Sequence, residues 1–180
     1  MRILPLILHS KNLPINARFE ITQKVSSLTH RHIRSVIACF YYLEFAKQII
    51  EGIGKFEIYQ NLKTTVAEFL SQNQIGEQEI QNFNRLLNDN IFALTEAEIR
   101  SSGYVIHSLE ASIWCLLTTE NYKDAVLKGV NLGEGTDTTA AITGGLAALC
   151  YGVESIPEEW IQVLARKNDI DELILKFANF

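Results

Sequence analysis

The stretch Asn131-Leu132-Gly133-Glu134-Gly135-Thr136-Asp137-Thr138-Thr139 places a glycine-rich loop directly before a carboxylate and a run of hydroxyls. Asp137 and Thr138 offer hard oxygen donors, which suit Mg²⁺ or Mn²⁺ rather than zinc. Asp and Thr are also preferred caps of helix N-termini, and caps are the commoner use. Spacing alone leaves both readings open. Gly133-x-Gly135 is not a dinucleotide fingerprint, because no strand pattern precedes it and no third glycine follows. The four histidines, His9, His30, His32 and His107, fit no zinc spacing. His30 follows Ser26-Ser27-Leu28-Thr29, just ahead of a long apolar segment. One reading makes Thr29 a helix cap with His30 in the first turn; the other has His30 donate a hydrogen bond to a phosphate or sugar. Tyr104, after Gly103, is either a stacking platform for a base or a core aromatic with a wet hydroxyl. No Ser/His/Asp order, Cys/His pairing or carboxylate dyad stands out, so no catalytic residue is assigned.

These residues need elements to hold them. The three prolines are Pro5, Pro14 and Pro157, and nothing between the last two forbids a helix. Ile33 to Ile50 is apolar on most faces, the pattern of a central helix. Phe56, Tyr59, Leu62, Val66, Phe69 and Leu70 recur at helical spacing, as do Ile80, Phe83, Leu86 and Leu87. Gly103-Tyr104 leads into an apolar helix over Ser108 to Leu117. The small-residue run Ile142 to Leu149 predicts a helix that another backbone can approach closely and that holds the preceding loop rigidly. Thr95 with Glu98, and Ser155 with Glu158, have capping-box spacing. No segment sustains a strand alternation. The expected fold is all-α, a single multi-helix domain of roughly seven to nine helices.

Composition narrows the function classes. The chain has 180 residues, 47% hydrophobic and 21% charged, which suits one folded domain rather than disorder. Its formal net charge of −5 leaves no basic excess for phosphate backbones, so nucleic acid is not an expected partner. Cys39, Cys115 and Cys150 are odd in number and sit among apolar neighbours, as buried free thiols of a reducing compartment would. Trp114 and Trp160 read as core. The apolar run near the start is short and interrupted by Pro5, and no later run approaches the ~20 residues that span a bilayer. The expected location is cytoplasmic.

Three passages carry a family resemblance. Asn131 to Gly152, N-L-G-E-G-T-D-T-T-A-A-I-T-G-G-L-A-A-L-C-Y-G, resembles the C-terminal metal motif N-L-G-x-D-T-D-T-T-A-A-I-x-G-x-L-A-G of the ADP-ribosylglycohydrolases. Ser102 to Trp114 resembles that family's S-G-Y-V-V-D-T-L-E-A-A-L-W passage, and Ser27 to His30 its S-x-L-T-H passage. Ile156 to Trp160 also fits. The resemblance implies an all-α fold and a dinuclear Mg²⁺ or Mn²⁺ centre. It implies hydrolysis of the glycosidic bond between ADP-ribose and a protein side chain or small acceptor. Asp137 and Thr138 match metal ligands, His30 a histidine lining the ADP-ribose pocket, and Tyr104 a position near the adenosine.

Two departures accompany the match. Met1-Arg2-Ile3-Leu4-Pro5 is similar to an internal M-R-x-x-P of the family, whose upstream T/S-D-D-T passage carries three further ligands. The expectation is therefore a partial domain over residues 1–180, the C-terminal portion of the fold without its N-terminal metal-ligand segment. Gly135 stands where the motif has its first aspartate. The implied function is a hydrolase that is weak or inactive as this chain. The alternatives are a non-catalytic, ADP-ribose-binding remnant and a structural helical protein with Asp137 as a cap. Expected partners are ADP-ribose or an ADP-ribosylated protein, with self-association or a missing N-terminal half completing the domain, and neither nucleic acid nor membrane.

Overall fold

A helix apolar on nearly every side is stable only if neighbours cover nearly every side. The computed structural model, which describes residues 2–178, shows this for the segment starting at Ile33. Among the described residues the helices are α1 Leu6–Ser10, α2 Ile15–Ser26, α3 Ile33–Ile50, α4 Lys55–Gln72, α5 Glu77–Gln81, α6 Asn84–Leu87, α7 Val105–Leu117, α8 Tyr122–Asn131, α9 Thr136–Tyr151, α10 Glu158–Gln162 and α11 Lys167–Ala178. No strand occurs among them. Every residue of α3 from Val36 to Ala46 is buried. Phe40 of α3 meets Phe19 of α2 and Phe69 of α4, with ring centroids 5.1 and 5.0 Å apart. The other face of α3 packs on α7 and α9.

The count of eleven exceeds the expected seven to nine because α1, α5, α6 and α10 are single turns of four or five residues. The helical spacing over Ile80 to Leu87 is divided between α5 and α6. Phe83 turns fully into the core there, and its N–H bonds back to the Ile80 carbonyl in a tighter, three-residue turn.

Two polar anchors fix the helices. Glu44, 3% exposed, is held by Arg18 through two contacts of 2.6 Å, which tie α2 to α3. A buried carboxylate without that guanidinium would be costly. The Tyr42 hydroxyl donates to the Ile142 carbonyl at 3.0 Å, tying α3 to α9. The small residues of α9 permit that approach: a Cβ on Gly145 would lie 2.5 Å from the Tyr42 hydroxyl and 2.8 Å from Leu4 Cδ2. Trp114 is core, with Nε1 donating to the Leu94 carbonyl and Lys128 over its ring. Trp160 is not: it is half-buried at the edge, against Tyr122. Cys39 and Cys115 are buried free thiols, whereas Cys150 is half-buried. Burial pushes the Cys115 thiol up to about 12. No helix among the described residues is long and apolar enough to cross a membrane.

The Thr95–Glu98 capping box forms, on a single 3₁₀ turn. The Ser155–Glu158 box does not, because the Ser155 hydroxyl donates to the Gly152 carbonyl and Pro157 occupies the position before α10.

Candidate functional site

Three helix starts come together on one side of the molecule. α3 and α7 pack on one another, as do α7 and α9. Their early residues are joined by short links. Arg34, in the first turn of α3, donates through Nη1 to the Tyr104 hydroxyl at 3.3 Å, and Tyr104 immediately precedes α7. The Ser101 carbonyl accepts from the Gly135 N–H at 2.9 Å, and Gly135 immediately precedes α9. Ser101 Oγ donates in turn to the Gly133 carbonyl at 2.5 Å. Each helix start carries unsatisfied N–H groups and the positive end of a peptide dipole, so their convergence favours a negatively charged group.

Asp137 and Thr138 lie in the first turn of α9, and Gly135 is the residue that caps it. Asp137 is therefore not the cap. It is exposed, Thr138 is half-buried, and neither side chain has a hydrogen-bond partner among the described residues. The loop before them is held firmly. Gly133 has φ +80°, and a Cβ on Gly135 would come within 2.8 Å of the Ser101 carbonyl oxygen. Gly135 is thus required by a close backbone approach as well as departing from the family motif.

Tyr104 is 38% exposed, so it is a rim residue and not a core aromatic. It is tethered at both ends: Arg34 donates to its hydroxyl, and the His107 ring meets it edge-on at 5.1 Å. Arg34 is braced by Glu79 across contacts of 2.6 and 3.0 Å, which hold the Glu79 carboxyl below its usual range. Ser102 Oγ lies 2.7 Å from His107 Nδ1, so His107 is a satisfied histidine. Burial, and then the nearby Arg100, lower its pKa.

His30 is exposed, outside the helix, with Nδ1 3.0 Å from the Thr29 hydroxyl. Thr29 does not cap α3. His32 does, its Nδ1 accepting from the Arg34 N–H at 3.2 Å. His30 sits two residues before that cap, on the loop that enters the same helix start. Arg34, Glu79 and Ser101, which position the candidate residues, carry no motif that singles them out; Ser102 opens the Ser102 to Trp114 passage, but nothing in that passage marks it as the partner of His107.

A divalent cation such as Mg²⁺ requires about six oxygens. Asp137 and Thr138 supply one carboxylate and one hydroxyl, and no group of three His, Cys, Asp or Glu side chains among the described residues could hold a metal ion. The residues present do not by themselves fit a dinuclear centre.

Comparison with known proteins identifies the family. A family model described as ADP-ribosylglycohydrolase matches residues 1–179. An ADP-ribosylarginine hydrolase of Serratia proteamaculans (strain 568), Tri1, is 46% identical over 76 residues, which is 42% of this chain and 21% of that protein. The ADP-ribosyl-[dinitrogen reductase] glycohydrolase of Rhodospirillum rubrum is 34% identical over 68 residues, 38% of this chain and 23% of that protein. A solved structure titled ADP-ribosylglycohydrolase-related protein complex shares the fold with a TM-score of 0.76 at 20% identity, over 96% of this chain. The chain spans only 56% of that solved chain. With the match running over nearly its whole length, the chain belongs to the ADP-ribosylglycohydrolase family.

Proposed function

We propose that this chain serves hydrolysis of the glycosidic bond between ADP-ribose and a protein side chain or small acceptor. Asp137 and Thr138 are its metal-facing donors, for Mg²⁺ or Mn²⁺, and His30 and Tyr104 line the ADP-ribose pocket. One observation carries the reading: the starts of α3, α7 and α9 converge, with the Asp137 and Thr138 side chains unpaired in the first turn of α9. A diphosphate suits that positive end, and hard oxygens suit a divalent cation. Relatives named for ADP-ribosylarginine and for ADP-ribosylated dinitrogen reductase support an ADP-ribosylated protein as the substrate class. The incomplete donor set means that the chain alone turns over little or not at all. Full activity requires oxygen ligands beyond those on the described residues.

A second reading is favoured by Gly135. The close approach of the Ser101 carbonyl leaves no room for a side chain where the family motif has a carboxylate. That suits a module which binds ADP-ribose without cleaving it. Release of ADP-ribose from arginine-ADP-ribosylated protein by the purified chain, with Mn²⁺ or Mg²⁺, tests the limit on activity. The expected release is close to background. Sustained metal-dependent turnover by the chain alone would overturn the argument from the incomplete donor set.

A further inference from the structure

We propose that Arg34 and Glu79 are positioning residues for ligand binding, holding Tyr104 in the orientation in which its ring stacks on the base of ADP-ribose. The inference rests on the proposed function, which has Tyr104 line the ADP-ribose pocket, and adds the means by which that ring is oriented. It makes α5, which supplies Glu79, part of the binding apparatus.

Tyr104 is held at three points and yet left open. Its backbone N–H donates to Ser102 Oγ at 3.3 Å. Its ring meets the His107 ring at 88°, and His107 is itself fixed by Ser102 Oγ, 2.7 Å from its Nδ1. Its hydroxyl accepts from Arg34 Nη1 at 3.3 Å. A tyrosine anchored for packing alone would be covered. This one is 38% exposed and borders a cavity of about 490 Å³ lined also by Asn82, Arg100 and His107. A fixed ring with open space beside it suits stacking on a planar group, and the base is the planar part of ADP-ribose.

The guanidinium geometry shows what Arg34 does. Glu79 takes Nε and Nη2, at 2.6 and 3.0 Å, the side-on bidentate arrangement that fixes a guanidinium plane. Nη1 is the nitrogen that remains, and it meets the Tyr104 hydroxyl. As a tie between α3 and α5 alone the pair contributes little, because its side chains are 34 and 27% exposed. Its consequence lies at Tyr104. A loose tyrosine has to be ordered when a ligand binds, and ordering one side chain lowers affinity about two- to twelvefold. With the ring already ordered in the free chain, that loss is avoided.

Calorimetric titration of the full chain with ADP-ribose in Mg²⁺ tests this. Arg34→Met should raise Kd about fivefold. Tyr104→Phe, which keeps the ring and removes the tethered hydroxyl, should do the same, and the double variant should bind no more weakly than either. Glu79→Ala should weaken binding equally, although it leaves the Arg34 charge less neutralised. Arg34→Lys should not recover the parent affinity, since an ammonium keeps the charge without the bidentate plane. All four single variants should keep the parent's helix content by circular dichroism. Recovery by Arg34→Lys, or tighter binding by Glu79→Ala, would mean that the Arg34 charge acts on the ligand directly and would overturn the inference. So would losses that multiply in the double variant, or variants that bind as the parent does. A parent chain that does not bind ADP-ribose would overturn the proposed function and this inference with it.

Discussion

Gly135 shows how one missing side chain shapes the site. The position departs from the family motif, yet the backbone has closed on it, with the Ser101 carbonyl 2.8 Å from where a Cβ would stand. Restoring the motif residue therefore has a structural cost. Gly135→Asp should destabilise the chain by about 1–3 kcal/mol, as other overpacked substitutions do, and lower Tm by several degrees. A thermal scan showing Gly135→Asp as stable as the parent would contradict the packing described. His107 gives a pH-dependent counterpart. Burial and Arg100 hold its pKa below the usual imidazole value of 6.5, so the unfolded chain takes up the proton first as pH falls. Its stabilising contribution is present above the unfolded value and is lost as pH drops through 6.5 towards the folded value. Glu110, nearby, acts oppositely, because burial raises its pKa and its protonation favours the folded state. The His107→Gln variant isolates the effect: between pH 7 and 5 its Tm should fall less than that of the parent, and parallel curves would contradict the assignment.

The helices differ in how far their sequence announced them. α3 was legible to the residue because Ile33 to Ile50 is apolar on every side that a neighbour covers. α5 and α6 were not, since the same spacing serves one helix or two turns broken at a buried Phe83. The cap of α3 was less legible, for a related reason: Thr29, the cap in one of the two readings, and His32 are both competent caps, and only the loop path selects His32. The D-T-T turn of the candidate site was legible as a helix start or donor pair, because its residue types are local. The brace on Tyr104 was not, because Arg34, Glu79 and Tyr104 come from three distant segments. The same blindness hid the link between α2 and α3. Arg18→Met leaves the buried Glu44 unpaired and should cost about 3–5 kcal/mol. Arg18→Met combined with Glu44→Leu should recover most of that loss. Denaturant titration of the three variants measures it, and additive losses would contradict a paired role.

At the scale of the molecule, the family fold brings three helix starts to one side and sets Asp137, Thr138 and Tyr104 around them, with His30 on the adjoining loop. Under the proposed function this side is a receptor for ADP-ribose whose metal donors are incomplete within the described residues. Calorimetric titration of the purified chain with ADP-ribose, with and without Mg²⁺, tests it most directly. The proposed function predicts saturable binding that Mg²⁺ strengthens, the ligand's own diphosphate supplying oxygens that Asp137 and Thr138 lack, and that Asp137→Ala reduces to the metal-free level. The same variant should leave stability nearly unchanged, since Gly135 and not Asp137 caps α9. Absence of binding under both conditions, or binding indifferent to Asp137→Ala, would contradict the central claim.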